Sequence, residues 1–269
     1  MQRPAYGAGW LAKVPEITVY FWITKILTTA MGEATSDWLV HDINRYLAVV
    51  AGAVAFFVAT ALQMRARRYI PWLYWLVVVM VAVFGTMVAD VAHIVLGVPY
   101  AVSSPAFAVI LAAVFITWSA VERTLSIHSI RTPRRELFYW AAVLATFALG
   151  TATGDMSART LHLGFLASGL LFAVLFAVPL VGRRLLAWNA VFSFWFAYVL
   201  TRPLGASFAD WFGMPRSIGG LGIDRLYVAG TLTLAIAALV TYMTVSRNGV
   251  QDQGADDVSA EAAAGRHEA

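Results

Sequence analysis

Four aspartates, Asp37, Asp90, Asp155 and Asp210, share one register with other residues able to do chemistry. Before Asp37, at intervals of four, stand Glu33, Thr29 and Lys25; before Asp210, at eight and twelve, stand Arg202 and Tyr198. On a helix such positions share a face. His41 follows Asp37 by four residues and His93 follows Asp90 by three, so each pair could ligate one ion from a single helix face. Carboxylate and imidazole donors without thiolate suit Mn, Fe, Co or Zn in mixed oxygen and nitrogen coordination. The expected metal set is therefore Asp37, His41, Asp90, His93, Asp155 and Asp210, with a plain acidic vestibule as the competing reading. Lys25, Thr29, Glu33, Tyr198 and Arg202 are the expected substrate pathway. Charges at helix centres cost at least about 2.5–3.5 kcal/mol each on insertion scales, so they face a bundle interior or a water-filled cavity. The competing reading there is a structural ion pair, Glu33 with Arg202 or Lys25.

The elements that position these residues repeat. Phe21-Trp22, Tyr74-Trp75, Tyr139-Trp140 and Phe194-Trp195 each put Trp 15 residues before one of the aspartates (22→37, 75→90, 140→155, 195→210). Gly32, Gly85, Gly150 and Gly205 each lie 5 residues before it. An internal period of this kind signals a repeat architecture. Fifteen residues of helix span roughly 22 Å, most of a hydrocarbon core of about 30 Å. The glycines read as sites of close helix approach, and the tryptophans as interfacial anchors.

The chain of 269 residues is 60% hydrophobic and 13% charged. A second apolar run follows each motif helix. With motif helices near 16–38, 71–91, 136–156 and 189–211 and following helices near 47–64, 104–121, 163–181 and 228–245, the sequence predicts eight transmembrane spans. The fold class is thus an all-α membrane protein of four parallel two-helix repeats, about 13–64, 69–123, 133–184 and 187–246, pseudo-symmetric about the membrane normal. Residues 1–246 form one transmembrane domain, and the polar stretch 247–269 reads as a disordered cytoplasmic tail.

Absence of cysteine excludes disulfides and thiolate chemistry. Arg65, Arg67 and Arg68 fall between the second and third helices, Arg123, Arg131, Arg134 and Arg135 between the fourth and fifth, and Arg183 and Arg184 between the sixth and seventh, with Arg3, Lys13 and Arg247 at the same side; Arg45, Arg159, Arg216 and Arg225 fall on the other. The positive-inside rule then puts both termini in the cytoplasm. The basic balance is topology, and nucleic-acid binding is not expected. No metalloprotease, nucleophile-elbow, P-loop or dinucleotide motif is present, so no enzyme is expected. His128 reads as a loop hydrogen-bonding residue.

Lys13-Val14-Pro15-Glu16, Leu27-Thr28-Thr29, Thr124-Leu125-Ser126-Ile127-His128 and Thr201-Arg202-Pro203-Leu204-Gly205 resemble signature segments of a bacterial family of unknown function. That family is built from four tandem repeats, each with two transmembrane segments and a characteristic tryptophan. The resemblance implies fold and topology in a bacterial inner membrane, and no activity. The residues themselves point to a transporter or channel for a small cation, a divalent transition metal being the favoured cargo. The alternatives are a carrier for a small anion or carboxylate held by Lys25 and Arg202, and a non-transporting sensor or scaffold. The expected partners are the lipid bilayer and the small ion or solute, with homo-oligomerisation open; no cofactor beyond a bound divalent metal is expected.

Overall fold

The computed structural model describes residues 12–246, and within them the chain is helical without strands. Eight α-helices follow in order: α1 (Val19–Trp38), α2 (Arg45–Arg65), α3 (Pro71–Asp90), α4 (Tyr100–Glu122), α5 (Pro133–Asp155), α6 (Phe165–Leu185), α7 (Ala190–Gly213) and α8 (Arg225–Ser246). Local chemistry sets their starts. Thr18 caps α1 by accepting from the Phe21 N–H, and Asn189 caps α7 through Val191 and Phe192. Pro71 and Pro133 occupy first turns, where a missing N–H costs nothing. Between α1 and α2 the backbone of Asn44 turns extended, while its side chain caps Tyr46 and Leu47.

Six segments are long and apolar enough to cross a membrane: Val19–Arg65, Pro71–His93, Tyr100–Glu122, Pro133–Thr160, Phe165–Leu185 and Arg225–Ser246. These mark a membrane protein. The even-numbered helices carry large apolar side chains on their outer faces, among them Phe57, Ile116, Val174 and Leu234, each more than half exposed. An apolar surface of that extent fits a lipid environment. α7 is not among the six segments; its Arg202 and Asp210 are buried inside the bundle.

The odd-numbered helices form an inner ring. α1 packs on α3, α3 on α5, α5 on α7 and α7 back on α1. Each even-numbered helix leans on the next repeat: α2 on α3, α4 on α5, α6 on α7, and α8 on α1.

Both recurring motifs are contacts of this ring. A Cβ built on Gly32 would strike Ala82, on Gly85 Phe147, on Gly150 Arg202, and on Gly205 Thr29. Each glycine thus receives the residue eight before the aspartate of the following repeat, the last receiving it from the first. The aromatic pairs behave likewise. Trp75 lies 5.8 Å from Phe21, Trp140 5.6 Å from Tyr74, Trp195 6.1 Å from Tyr139, and Trp22 5.7 Å from Phe194, between ring centroids. Trp75, Trp140 and Trp195 are buried. The expected interfacial anchors are instead the aromatic packing that joins one repeat to the next, because a ring of inner helices hides that face from lipid.

A second difference concerns residues 12–18, part of which was expected to open the first helix. The Lys13 N–H donates to the Ile130 carbonyl and the Tyr69 N–H to the Ala12 carbonyl, so this segment is held as a strap between two loops. Lys13 is fully buried and bonds Glu136 at 2.5 Å and the Met64 carbonyl at 3.1 Å. Gln63 donates to the same Glu136 at 3.2 Å. These long-range bonds compete with the first helical turn, and α1 begins only after Thr18. The expected tail at 247–269 lies outside the described residues.

Candidate functional site

The expected pathway residues meet inside the inner ring. Arg202, on α7, is fully buried. One guanidinium nitrogen donates to the Thr29 carbonyl at 2.9 Å. Another reaches the Glu33 carboxylate, the Thr86 hydroxyl and, at 2.7 Å, the Thr151 hydroxyl. Glu33, Thr86 and Thr151 stand four residues before the aspartates of the first three repeats. The guanidinium therefore spans the ring and gathers one polar side chain from each of the other inner helices, with the Thr29 carbonyl of α1 in addition. Ala206, the equivalent residue on α7, has no polar group to offer. The Thr29 hydroxyl donates to the Thr201 carbonyl at 3.0 Å and ties α1 to α7.

Lys25 occupies a different environment. It is fully buried, and its Nζ lies 4.1 Å from the Phe147 ring centroid and 4.4 Å from that of Tyr198. Among the described residues its Nζ makes no hydrogen bond. A ring face can stabilise a desolvated ammonium by roughly 2 kcal/mol or more. Glu33 pairs with Arg202 and not with Lys25.

Beyond Glu33 the four aspartates gather at one end of the ring. Asp210 faces the charges of Glu33, Asp155 and Asp37, opposed by Arg159, and Asp90 faces the same three, opposed by Arg202. Asp37 lies 3.5 Å from Arg225, at the start of α8. Asp155 pairs with Arg159, one turn on, at 3.1 Å. Asp90 accepts from the Ser36 hydroxyl at 3.4 Å. Among the described residues neither Asp90 nor Asp210 has a cation within 4.0 Å. After three of the aspartates the helix loosens into a π-helical turn, Leu39–Asn44, Val91–Val95 and Met156–Thr160. Such turns recur at functional sites.

The two histidines are placed away from the carboxylates. His41 is exposed, and its Nδ1 lies 2.9 Å from the Asp37 carbonyl oxygen, on the main chain. His93 bonds the Ser103 hydroxyl at 3.0 Å and packs on Tyr100. Among the described residues no three His, Asp or Glu side chains come together to hold a metal ion. The π-helical turns change the angular register just past the aspartates, so spacings that would align carboxylate and imidazole on an α-helix do not do so.

Thr86, Thr151 and Phe147 are parts of this site that sequence reasoning passed over. They stand in the shared register, four or eight residues before Asp90 and Asp155, but were not among the expected pathway residues. Arg159 was visible four residues from Asp155. Arg225 gave no local signal, because only the packing of α8 on α1 brings it to Asp37.

No curated protein and no solved structure matches the chain. One family does, four times over: 20–69, 73–124, 138–185 and 193–248. Each match covers one inner helix and the outer helix that follows, with the Trp, Gly and Asp of the register inside it. The chain belongs to the family described as Repeat of Unknown Function (DUF347), in four tandem copies.

Proposed function

We propose that this protein moves a small cation across the bacterial inner membrane along the axis of its inner ring. In this reading all eight helices span the bilayer as four parallel repeats, pseudo-symmetric about the membrane normal. The cyclic order of the glycine and tryptophan contacts supports that symmetry. Both termini are cytoplasmic, and the aspartate end opens to the outside. The arginine bias supports this orientation. Because the chain has no cysteine, the orientation can be read from single introduced thiols. Ser217→Cys, between α7 and α8, will react with an impermeant thiol reagent in intact cells, and Arg68→Cys, between α2 and α3, will react only after permeabilisation. The reverse pattern overturns the orientation.

The observation that carries the transport reading is the excess of carboxylates at the aspartate end. Among the described residues Asp90 and Asp210 sit beside three other acidic groups with no cation in direct contact; Arg202 and Arg159 act on them only from their own pairs with Glu33 and Asp155. Such a cluster gathers cations from solution. Glu33 is the inner carboxylate, and the Arg202 guanidinium occupies it until a cation takes its place. Cation selectivity is left to the cargo assay: protons, alkali ions, Mn and Zn are all compatible with carboxylate donors.

Purified protein in liposomes will take up one of these cations down an imposed gradient. Asp90→Asn with Asp210→Asn will cut that flux at least tenfold while the melting temperature stays within a few degrees. Wild-type liposomes that pass no cation end this reading.

One observation favours the anion carrier as a second reading. Among the described residues the buried Lys25 Nζ has no hydrogen bond and no carboxylate partner, as a binding group awaiting an anion would be. Flux of small carboxylates that is lost in Lys25→Met, with no cation flux, would select it.

A further inference from the structure

A cleft of about 600 Å³ opens on the side of the bundle between α1, α6 and α7. Its walls are apolar: Trp22, Ile26, Phe176, Leu180 and Phe194. Ile23 and Leu180 at its edge are 44% and 57% exposed, which on this face means exposed to lipid. One end is different. There the loop after α4 brings Ser126 and His128, and the last turn of α6 brings Arg183. His128 and Arg183 are exposed and make no hydrogen bond or ion pair among the described residues. The expected loop hydrogen bond of His128 is therefore not made.

The repeat explains why this cleft is open. Trp118 on α4 stands six residues before the end of the second family match, and Pro179 on α6 stands six before the end of the third. Trp118 is fully buried and packs 5.7 Å from Trp195 and 6.3 Å from Phe138. It fills the space between its neighbours. Gln63, at the same position of the first repeat, is also fully buried and bonded to Glu136. Pro179 stands at the third place, smaller than an indole, and lines the cleft together with Trp22 and Phe194.

We propose that this cleft binds one anionic phospholipid, its chains between α1, α6 and α7 and its phosphate on Arg183 and His128. The cleft opens sideways to the bilayer, so its occupant comes from the bilayer. Its volume lies within the roughly 300–1,000 Å³ range of small-molecule sites. Arginine recognises phosphate in a fixed, two-pronged geometry, and basic pockets between membrane helices hold anionic head groups. A zwitterionic lipid would add an ammonium beside these two groups. The site lies at the tryptophan end, away from the acidic end, and does not depend on what the inner ring moves.

The full-length protein, purified in detergent, is titrated with phosphatidylglycerol or with phosphatidylcholine of the same chains and observed by native mass spectrometry. Wild type will retain one phosphatidylglycerol at least tenfold more tightly than phosphatidylcholine. Arg183→Gln with His128→Gln, both surface changes, will abolish the preference. Pro179→Trp, checked for an unchanged melting temperature, will lose retention because the indole occupies the cleft. Equal retention of both lipids by wild type overturns the proposal. So does a preference that survives the charge variant. Loss in the charge variant with full retention in folded Pro179→Trp also overturns it, since the lipid would then lie on the surface.

Discussion

Replacing Glu33 and Arg202 together by glutamine will return most of the stability that either replacement alone removes, and on the proposed transport reading the flux will not return with it. The pair is buried, with side-chain exposures of 5% and 0%. Glu33→Gln leaves the guanidinium with two hydroxyls and a carbonyl but no counter-charge. Arg202→Gln leaves a carboxylate among four aspartates. Breaking a buried pair by removing one partner costs about 3–5 kcal/mol, whereas removing both partners is often close to neutral. Thermal unfolding in detergent will therefore show two badly destabilised single variants and a double variant near wild type. Thr86 and Thr151 can hydrogen-bond a glutamine amide at the same place, which favours this recovery. A structural pair and a transport pair then part company. If the pair only holds the ring together, the folded double variant transports normally. If Glu33 binds the cargo and Arg202 yields to it, the double variant is folded and inactive. Wild-type flux in that variant would remove both residues from the mechanism.

The second large effect is at the closure of the ring. Gly205→Ala will destabilise the protein severely, and Gly230→Ala will not. A Cβ on Gly205 meets the Thr29 side chain and comes within 2.8 Å of the Ala30 backbone nitrogen. Backbone cannot rotate aside as a long side chain can. α7 must then move off α1, stretching the Arg202 to Thr29 bond that spans the same contact. Overpacking a tight core costs about 1–3 kcal/mol, and the lost polar contacts add to it. Gly230, on α8, has nothing within 4 Å of the same added atom. Alanine there gains helix propensity of up to about 1 kcal/mol. A melting temperature for Gly205→Ala equal to wild type would mean that α1 and α7 do not touch as described.

The two outcomes differ in what they owe to sequence. The register of Trp, Gly and Asp was legible in the chain because a helix converts spacing into height and face. So were most helix ends, whereas most helix starts fall a few residues from the expected position. The glycines were read correctly as close contacts, though not their partners. The tryptophans were read wrongly. An indole near the end of an apolar helix suits either a lipid interface or an interhelical contact, and only the neighbouring helix decides between them.

Height along each helix, and the residues sharing a face upstream of each aspartate, were therefore set by the sequence alone. That Glu33 and Arg202 stand near the same level followed from counting residues. That Arg202 also takes Thr86 and Thr151 did not follow, because those hydroxyls come from helices far away in the chain, and their lateral placement depends on the order of the ring. Tertiary structure also decided that Lys25 sits between two aromatic rings, that His41 and His93 turn to other partners, that Lys13 leaves the first helix for Glu136, and that Pro179 lines a cleft. The physical reason is common to all of them. Backbone hydrogen bonds within a helix fix periodicity over a few residues, so local sequence suffices. The partner of a buried charge or the filler of a gap is chosen by packing between helices, where the competing atoms belong to other repeats.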